Sequence, residues 1–308
     1  MLKNTVKIYD DGSSYAWTPE MGKDGIIIRM SKSTLTSPSW CAQQLWLQHN
    51  YPRKQELVKH LVVGDDVHNG LEMFYDNLAG ADVDELHKRA KNGGDISRSL
   101  LKYIPTKEAI VNNRRQENKE FPFYDDDYYR NMEWLMNYET ARMAMAKTAM
   151  PLANEVRIEL KREVEVPGYG SIPIQFVGII DRVFEAPDGG LMVFELKTGK
   201  WSDAKLSGMR KEMSYYKFLI ENADPAFLKE NGIDRTVTHW GWRYSSADHW
   251  HIEPVKSVSE RAMMKSMRDL IKMYLDQQFP PTKADFKCGY CQLLELCPKY
   301  AVPIEVNE

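Results

Sequence analysis

Two short segments of the chain carry residue types that a hydrolytic metal site needs. Phe176-Val177-Gly178-Ile179-Ile180-Asp181 is followed, thirteen residues later, by Phe194-Glu195-Leu196-Lys197-Thr198-Gly199-Lys200. Alternate side chains of a strand share a face, so Glu195 and Lys197 project together while Phe194 and Leu196 point the other way, into a core. Between the segments, Ala186-Pro187-Asp188-Gly189-Gly190 is a strong hairpin signal, and a hairpin there brings Asp181 beside Glu195. Two adjacent carboxylates repel unless a cation sits between them. A hard divalent ion such as Mg²⁺ or Mn²⁺ is the natural occupant of an all-oxygen site. An ammonium two residues beyond the ligand can hold a water or a phosphate oxygen. Such a set can cut a phosphodiester, with the metal polarising the phosphate and activating water and the lysine stabilising developing charge. The same spacing also suits an ion pair on an exposed hairpin. The flanking apolar residues weigh against that, because unpaired charge in a buried strand is costly.

A second set is formed by the four cysteines, Cys41, Cys288, Cys291 and Cys297. One stands far from the rest, and the others follow a C-x₂-C-x₅-C pattern ending at Pro298. A CxxC pair brings two thiolates to one centre, and the third can close around it, with Cys41 supplied from the other end of the chain. Four thiolates suit either a zinc ion or a 4Fe–4S cluster. Zinc sites more often use two short paired spacings, so the lone Cys41 argues mildly against zinc.

These residues need elements to position them. Residues 1–30 read as a strand-rich lead-in, with apolar runs at Val6-Lys7-Ile8-Tyr9 and Gly25-Ile26-Ile27-Ile28. Helical spacing covers 38–62, broken by Pro52, and a second helix holds Val67, Leu71, Phe74 and Leu78. Residues 79–125 mix Gly80, Gly93-Gly94, Pro105 and Pro122 with many charges and read as an insertion or lid with weak helices. A long helix runs from about Asp126 to Met150; its methionines are flexible core packing. Strands follow at 155–166, 172–184 and 191–197. A helix over 202–222 is expected to be capped by Ser202 and to present Leu206, Met209, Met213, Tyr216 and Leu219 on one face. Residues 236–245 and 249–254 form a further strand pair. Ser257 with Glu260 is a capping box opening a helix that runs to about Gln278, where Phe279-Pro280-Pro281 stops it. The cysteine-rich tail occupies 279–308.

The chain has 308 residues, with 41 Lys and Arg against 44 Asp and Glu, a net charge of −3. That excludes a uniformly basic nucleic-acid binder but leaves room for a local basic groove. No apolar run approaches the ~18 residues that would span a bilayer, and the N-terminus has no apolar signal region. The expectation is a cytoplasmic protein, where structural disulfides are rare, so the cysteines need another purpose.

Asp181, Glu195-Leu196-Lys197 and the following Thr198-Gly199 resemble the PD-(D/E)xK nuclease core, specifically its RecB-like branch. That branch has a metal-ligating histidine on an upstream helix in a Gly-x-x-x-His setting, which Gly64 and His68 match. The other six histidines (His49, His60, His87, His239, His249 and His251) match nothing in it. It also has a Gln-x-x-x-Tyr pair after the lysine strand. The corresponding positions here are Glu212 and Tyr216, and a spacing of four puts both on one helix face. Glu in place of Gln is a departure. The branch further implies an acidic residue on the strand before Asp181, for which Glu159 or Glu163 could serve. One distant N-terminal cysteine plus three C-terminal ones, bracketing such a core, resembles the iron–sulfur nucleases, including the CRISPR-associated RecB-like exonucleases and AddB-type subunits. The resemblance implies that the cluster staples the chain ends together. Linking residue 41 to residue 288 closes a very long loop and argues against two independent domains.

The expected architecture is therefore mixed α/β, one nuclease domain over 1–308, with a central mixed sheet flanked by helices, a helical N-terminal part and a cluster-binding tail. The resemblance implies His68, Asp181 and Glu195, with the Leu196 carbonyl, as ligands of Mg²⁺ or Mn²⁺. It implies Lys197 as the group that positions water, and Glu212 and Tyr216 as residues shaping the DNA or the lysine. The stretch from Lys197 to Lys217 sums to +4, suiting a groove that tracks a DNA backbone. Lys59, Arg114, Arg115, Arg157, Lys161 and Arg162 could extend it, and Trp201, Tyr215 or Trp240 could stack on single-stranded bases. The expected activity is exonucleolytic cleavage of single-stranded DNA ends, with recombination or CRISPR-adaptation proteins as partners. The alternative is a DNA-binding accessory subunit of such a complex with little cleavage of its own.

Overall fold

The computed structural model describes residues 20–22, 25–50, 58–79, 82–116, 121–245, 249–276, 278–291 and 293–299. The expected strand at 6–9 and the break at Pro52 lie outside these residues. In chain order the elements are β1 (Glu20–Gly22), β2 (Gly25–Ser31), α1 (Lys32–Asn50), α2 (Lys59–Ala79), α3 (Val83–Lys91), α4 (Ser97–Leu100), α5 (Lys107–Gln116) and α6 (Asp125–Met145). Then come β3 (Ala153–Val166), β4 (Gly170–Glu185), β5 (Leu191–Lys197), α7 (Leu206–Asn222), α8 (Pro225–Glu230), β6 (Val237–Tyr244), β7 (His249–Pro254), α9 (Ser257–Asp276) and α10 (Asp285–Cys288). The mixed α/β class expected from the sequence is what the chain adopts.

The chain divides into two compact units, each assembled from separated segments. One comprises Met1–Gln55, Glu159–Gly178 and Ser257–Glu308; the other comprises Glu56–Ile158 and Ile179–Lys256. In the first, β2 pairs antiparallel with β1 and parallel with the first part of β4, from Ile28 opposite Ile174 to Ser31 opposite Val177. Helix α1 begins at Lys32, six residues before the expected start, and kinks at Cys41, whose backbone is extended. It packs against α9, which buries Met263, Met267, Leu270, Ile271 and Tyr274 at helical spacing. The tail returns to α1: the Pro280 carbonyl accepts from Gln43 N–H at 3.2 Å, and Lys287 Nζ donates to the Ser39 and Trp40 carbonyls.

The second unit holds a mixed sheet with helices on both faces. Strand β5 pairs antiparallel with the second part of β4 and parallel with β6, and β6 pairs antiparallel with β7. Residues 186–190 form the hairpin turn, with Gly189 at φ +88°, a conformation that favours glycine. On one face, Phe194 stacks on Tyr138 of α6 at 5.5 Å, and Leu196 joins a cluster containing Val67, Leu71 and Phe74 of α2 and Met132 and Leu135 of α6. The α2–α6 approach is close enough that a Cβ on Gly70 would lie 2.5 Å from Tyr128 Oη. On the other face, α7 buries Met209, Met213, Tyr215, Tyr216 and Leu219.

Two expectations change here. Residues 79–125 contain α3, α4 and α5, and their Leu86, Ala90, Ile96, Leu100 and Ile110 are buried in the same cluster as α2 and α6. Apolar spacing at i and i+4 in this charged stretch seats it on the core. The Ser202 side chain makes no capping bond; a short 3₁₀ turn at Asp203–Lys205 precedes α7, with the Ser202 carbonyl accepting from Lys205 N–H.

Glu253 of β7 fastens α7 to the sheet. Its two oxygens accept from Arg210 Nε and Nη2 at 2.6 Å each, and Oε1 also accepts from Trp240 Nε1 at 2.9 Å; Lys256 Nζ is 2.6 Å away. Burial alone would raise the Glu253 pKa, but the bonds from Arg210, Lys256, Trp240 and His251 outweigh it and hold the carboxyl well below its usual 4.5. The folded pKa is depressed, so this stabilisation is present above pH 4.5 and is lost as pH falls through the folded value. Glu253→Gln should therefore reduce unfolding stability by about 1–3 kcal/mol at pH 7. In urea titrations the gap to wild type should narrow steadily as pH falls below 4.5.

Candidate active site

His68, Glu155, Asp181, Glu195, Lys197, Glu212 and Tyr216 all lie in the second unit. The register pairs Arg182 with Phe194, so Asp181 and Glu195 are the next residues along the two strands. The hairpin thus places them as expected. Asp181 is fixed by the backbone of its neighbour strand: Leu196 N–H donates to Asp181 Oδ2 at 2.8 Å.

Glu195 is 2 % exposed. A carboxylate that deep needs partners, and Lys197 and Tyr216 are among them. Lys197 Nζ donates to Oε1 at 2.5 Å, and Tyr216 Oη of α7 donates to Oε2 at 2.8 Å. Lys197 also lies 3.1 Å from Glu212 Oε2, so the four-residue spacing of Glu212 and Tyr216 on α7 delivers both groups to the Glu195–Lys197 pair. Burial alone would lower the Lys197 pKa, but the charges of Glu195 and Glu212 reverse this and raise it, keeping the side chain an ammonium. The Tyr216 hydroxyl is pushed well above 10, by burial first and then by Glu195, so it stays a neutral donor.

His68, on α2, completes the cluster. Its Nδ1 is 3.7 Å from Asp181 Oδ2 and 3.9 Å from Glu155 Oε1. His68, Glu155 and Asp181 offer ligand atoms within 4.8 Å of one another, a donor set of one nitrogen and two carboxylates able to hold a divalent ion. Burial acts to lower the His68 pKa, but Asp181 and Glu155 outweigh it and raise it overall.

Glu155 was not singled out by sequence; the acid on the strand before Asp181 is this residue rather than Glu159 or Glu163. Those two are exposed on β3, and Glu163 accepts a hydrogen bond from Ser171. On β3 the residues Val156, Ile158 and Leu160 are buried, so every odd-numbered acid shares the other face and alternation cannot choose among them. A usable signal was the turn: Glu155 and Asp181 each stand thirteen residues from Gly168, which lies at φ +88° between the strands. Glu155 itself has φ +45°, the single non-glycine with positive φ among the described residues. Such strain persists only where surrounding structure enforces it. Behind Glu155, Arg182 Nη2 is 4.0 Å from its carboxylate.

The four cysteines all belong to the first unit and line one cavity with Trp40, Thr282 and Lys287. Cys41, at the α1 kink, accepts a hydrogen bond from Thr282 N–H at 3.3 Å. Among the described residues, no three of these sulfurs lie within 4.8 Å of one another.

The expected basic groove is largely committed to internal pairs. Arg210 is held by Glu253, Lys217 by Glu221 at 2.5 Å, and Arg114 is buried against Asp66 at 3.2 Å. Tyr215 and Trp240 are fully buried and cannot stack on bases; Trp201 stacks on His249, with ring centroids 4.1 Å apart.

The model of the PD-(D/E)XK nuclease superfamily matches residues 29–298, which takes in the His68–Asp181–Glu195–Lys197 cluster and all four cysteines. The chain belongs to the PD-(D/E)XK nuclease superfamily. Asp181 and Glu195-Leu196-Lys197 read as the D and (D/E)XK of that name, with Ile180 in the place of its proline. Membership implies a metal-dependent nuclease. Among solved structures, that of SSO0001 is 15 % identical with a TM-score of 0.43, covering 89 % of this chain and 88 % of its own. Rai1 of Scheffersomyces stipitis is 12 % identical with a TM-score of 0.22, covering 57 % of this chain and 52 % of its own. Likenesses at these scores bear on neither fold nor function. No curated protein matches. Among the described residues, no helix is long and apolar enough to cross a membrane.

Replacing Glu155 by Gln should weaken Mn²⁺ binding by about 10–100-fold in calorimetric titrations, the scale on which such carboxylates act in metal sites. Glu159→Gln and Glu163→Gln should bind as wild type does.

Proposed function

We propose that this chain is a RecB-like, metal-dependent exonuclease acting on single-stranded DNA ends. The observation that supports this most directly is the meeting of Lys197 with buried Glu195 beside the His68, Glu155 and Asp181 cluster. An ammonium kept protonated at that place has a role in charge stabilisation rather than as a general base.

His68, Glu155 and Asp181 would hold Mg²⁺ or Mn²⁺, with Glu195 and the Leu196 carbonyl as neighbouring donors. When bound, the ion supplies Lewis-acid polarisation of the phosphate and an acidified water. The protein's own groups then divide the labour. Lys197 donates to the attacking water or a non-bridging phosphate oxygen and offsets charge as it develops. Glu195 and Glu212 hold that ammonium in position and charged. Tyr216 fixes the Glu195 carboxylate so that its remaining lone pairs face the site. Leu196 N–H holds Asp181 at the angle set by the sheet.

The cysteine cavity is read as the seat of a 4Fe–4S cluster. Four thiolates on one cavity are the donor set that such a cluster takes. Such a cluster would tie α1 to the C-terminal tail. Cutting at free single-stranded ends suits work in the cytoplasm beside recombination, repair or CRISPR-adaptation proteins.

The test is a cleavage assay with Mn²⁺ on end-labelled single-stranded DNA. Wild type should release mononucleotides or short products from one end, and Lys197→Ala should lower the rate by about 10²–10³. Equal cleavage by both proteins would remove Lys197 from the site. For the tail, anaerobically purified protein should contain iron and acid-labile sulfide, both lost in Cys291→Ser. Zinc without sulfide would overturn the cluster.

A further inference from the structure

A cleft of about 500 Å³ opens beside the catalytic strand, within the same unit. That is the size of a pocket for a small organic ligand. Its walls come from three places: the start of α2 (Lys59, His60), the first turns of α6 (Arg130, Trp134) and the loop leaving β5 (Thr198, Lys200). Thr198 and Lys200 lie one and three residues beyond Lys197. Gly64 of α2 abuts the loop, since a Cβ there would lie 3.3 Å from Thr198 Oγ1. Val63, also on the wall, precedes His68 by five residues, about 7.5 Å along the helix axis. The wall of the cleft and the metal-ligand cluster are therefore carried by neighbouring turns of α2.

Its chemistry is that of a nucleotide site. Three permanent cations face it against one carboxylate, Asp127, which binds Lys59 at 2.6 Å and Arg130 at 2.5 Å and so holds both in place. The N-terminus of α2 adds positive potential and has no acidic side chain in its first turn. Trp134 is half-buried and offers an aromatic plane, with the Arg130 guanidinium 5.9 Å from its ring. Cations with an aromatic plane, beside the strand that carries Glu195 and Lys197, match a phosphate and its base. An aromatic ring reaches a base face only when the base is unpaired.

Resting on the nuclease reading above, we propose that this cleft binds a nucleotide of the single-stranded DNA substrate next to the bond being cut, with its base on Trp134 and its phosphate at Lys200. Of the basic residues in the Lys197–Lys217 stretch, the cleft is lined by Lys200.

The experiment measures anisotropy of a fluorescein-labelled oligothymidylate with the full-length protein in EDTA, which prevents cleavage, across a range of NaCl. Trp134→Ala should weaken binding about tenfold, and Trp134→Phe should restore most of it. Lys200→Ala should reduce the slope of log affinity against log salt by about 0.7, the loss of one phosphate contact on a single strand. Circular dichroism checks that each variant is folded, and Mn²⁺ cleavage is measured separately. If wild type cleaves DNA while Trp134→Ala and Lys200→Ala bind as wild type does, the cleft proposal falls and the nuclease reading stands. If wild type binds no DNA at any salt, both fall. Tighter binding of the matching oligoribonucleotide would overturn DNA as the occupant.

Discussion

Glu195 carries a charge where water cannot solvate it, and much of the site follows from how that charge is met. An unpaired buried carboxylate would take up a proton or destabilise the strand that bears it. Here Lys197 comes from the same strand, two residues on, and Tyr216 comes from α7 on the same face. The pairing makes each partner depend on the others. Glu195 holds Lys197 protonated, and Lys197 and Tyr216 each donate to one of its oxygens, which fixes the carboxylate. Removing one leaves the others buried without compensation, which costs more than the pair itself contributes.

The sheet converts that local pairing into a site for chemistry. Antiparallel register sets Asp181 next to Glu195 across two strands, and a backbone N–H from Leu196 fixes its orientation. Helix α2 then brings His68 to the Asp181 side. Its approach depends on Gly70, which lets Tyr128 of α6 sit where a Cβ would otherwise be. The charged groups on the metal-ligand side (Glu155, Asp181, His68) and those on the lysine side (Glu195, Glu212, Lys197) are thus carried by different elements but share the β4–β5 hairpin. Arg182 lies near the first set, adding a buried positive charge near Glu155. The cluster of His68, Glu155 and Asp181 could hold a divalent cation, and the Lys197 ammonium stands beside it on the same hairpin.

Much of this was legible from local pattern. The strands at 153–166, 170–185 and 191–197 differ from their expected limits by two residues or fewer, because β-branched alternation and the Pro-Asp-Gly-Gly turn are strong signals. Asp181, Glu195 and Lys197 were found because strand periodicity and one hairpin count were enough to place them together. Glu212 and Tyr216 came from the resemblance to the RecB-like branch, and helical spacing put both on one face. Glu155 was missed because four acids on β3 share one face, and only pairing across the turn separates them. Part of the expected basic groove was misread for a related reason: net charge along a segment does not show that Arg210, Lys217 and Arg114 are each paired within the fold.

The sequence by itself therefore determined the strands around the hairpin and the juxtaposition of Asp181, Glu195 and Lys197, and its motifs pointed to the superfamily. The juxtaposition rests on a period of two and one turn, which act over a few residues. Tertiary structure decided which acid joins His68, which lysines and arginines still face solvent, how residues 82–116 pack onto the core, and that four cysteines from opposite ends of the chain line one cavity. Each of those outcomes depends on contacts between residues far apart in the chain, whose geometry is set by packing against neighbours that no local period encodes.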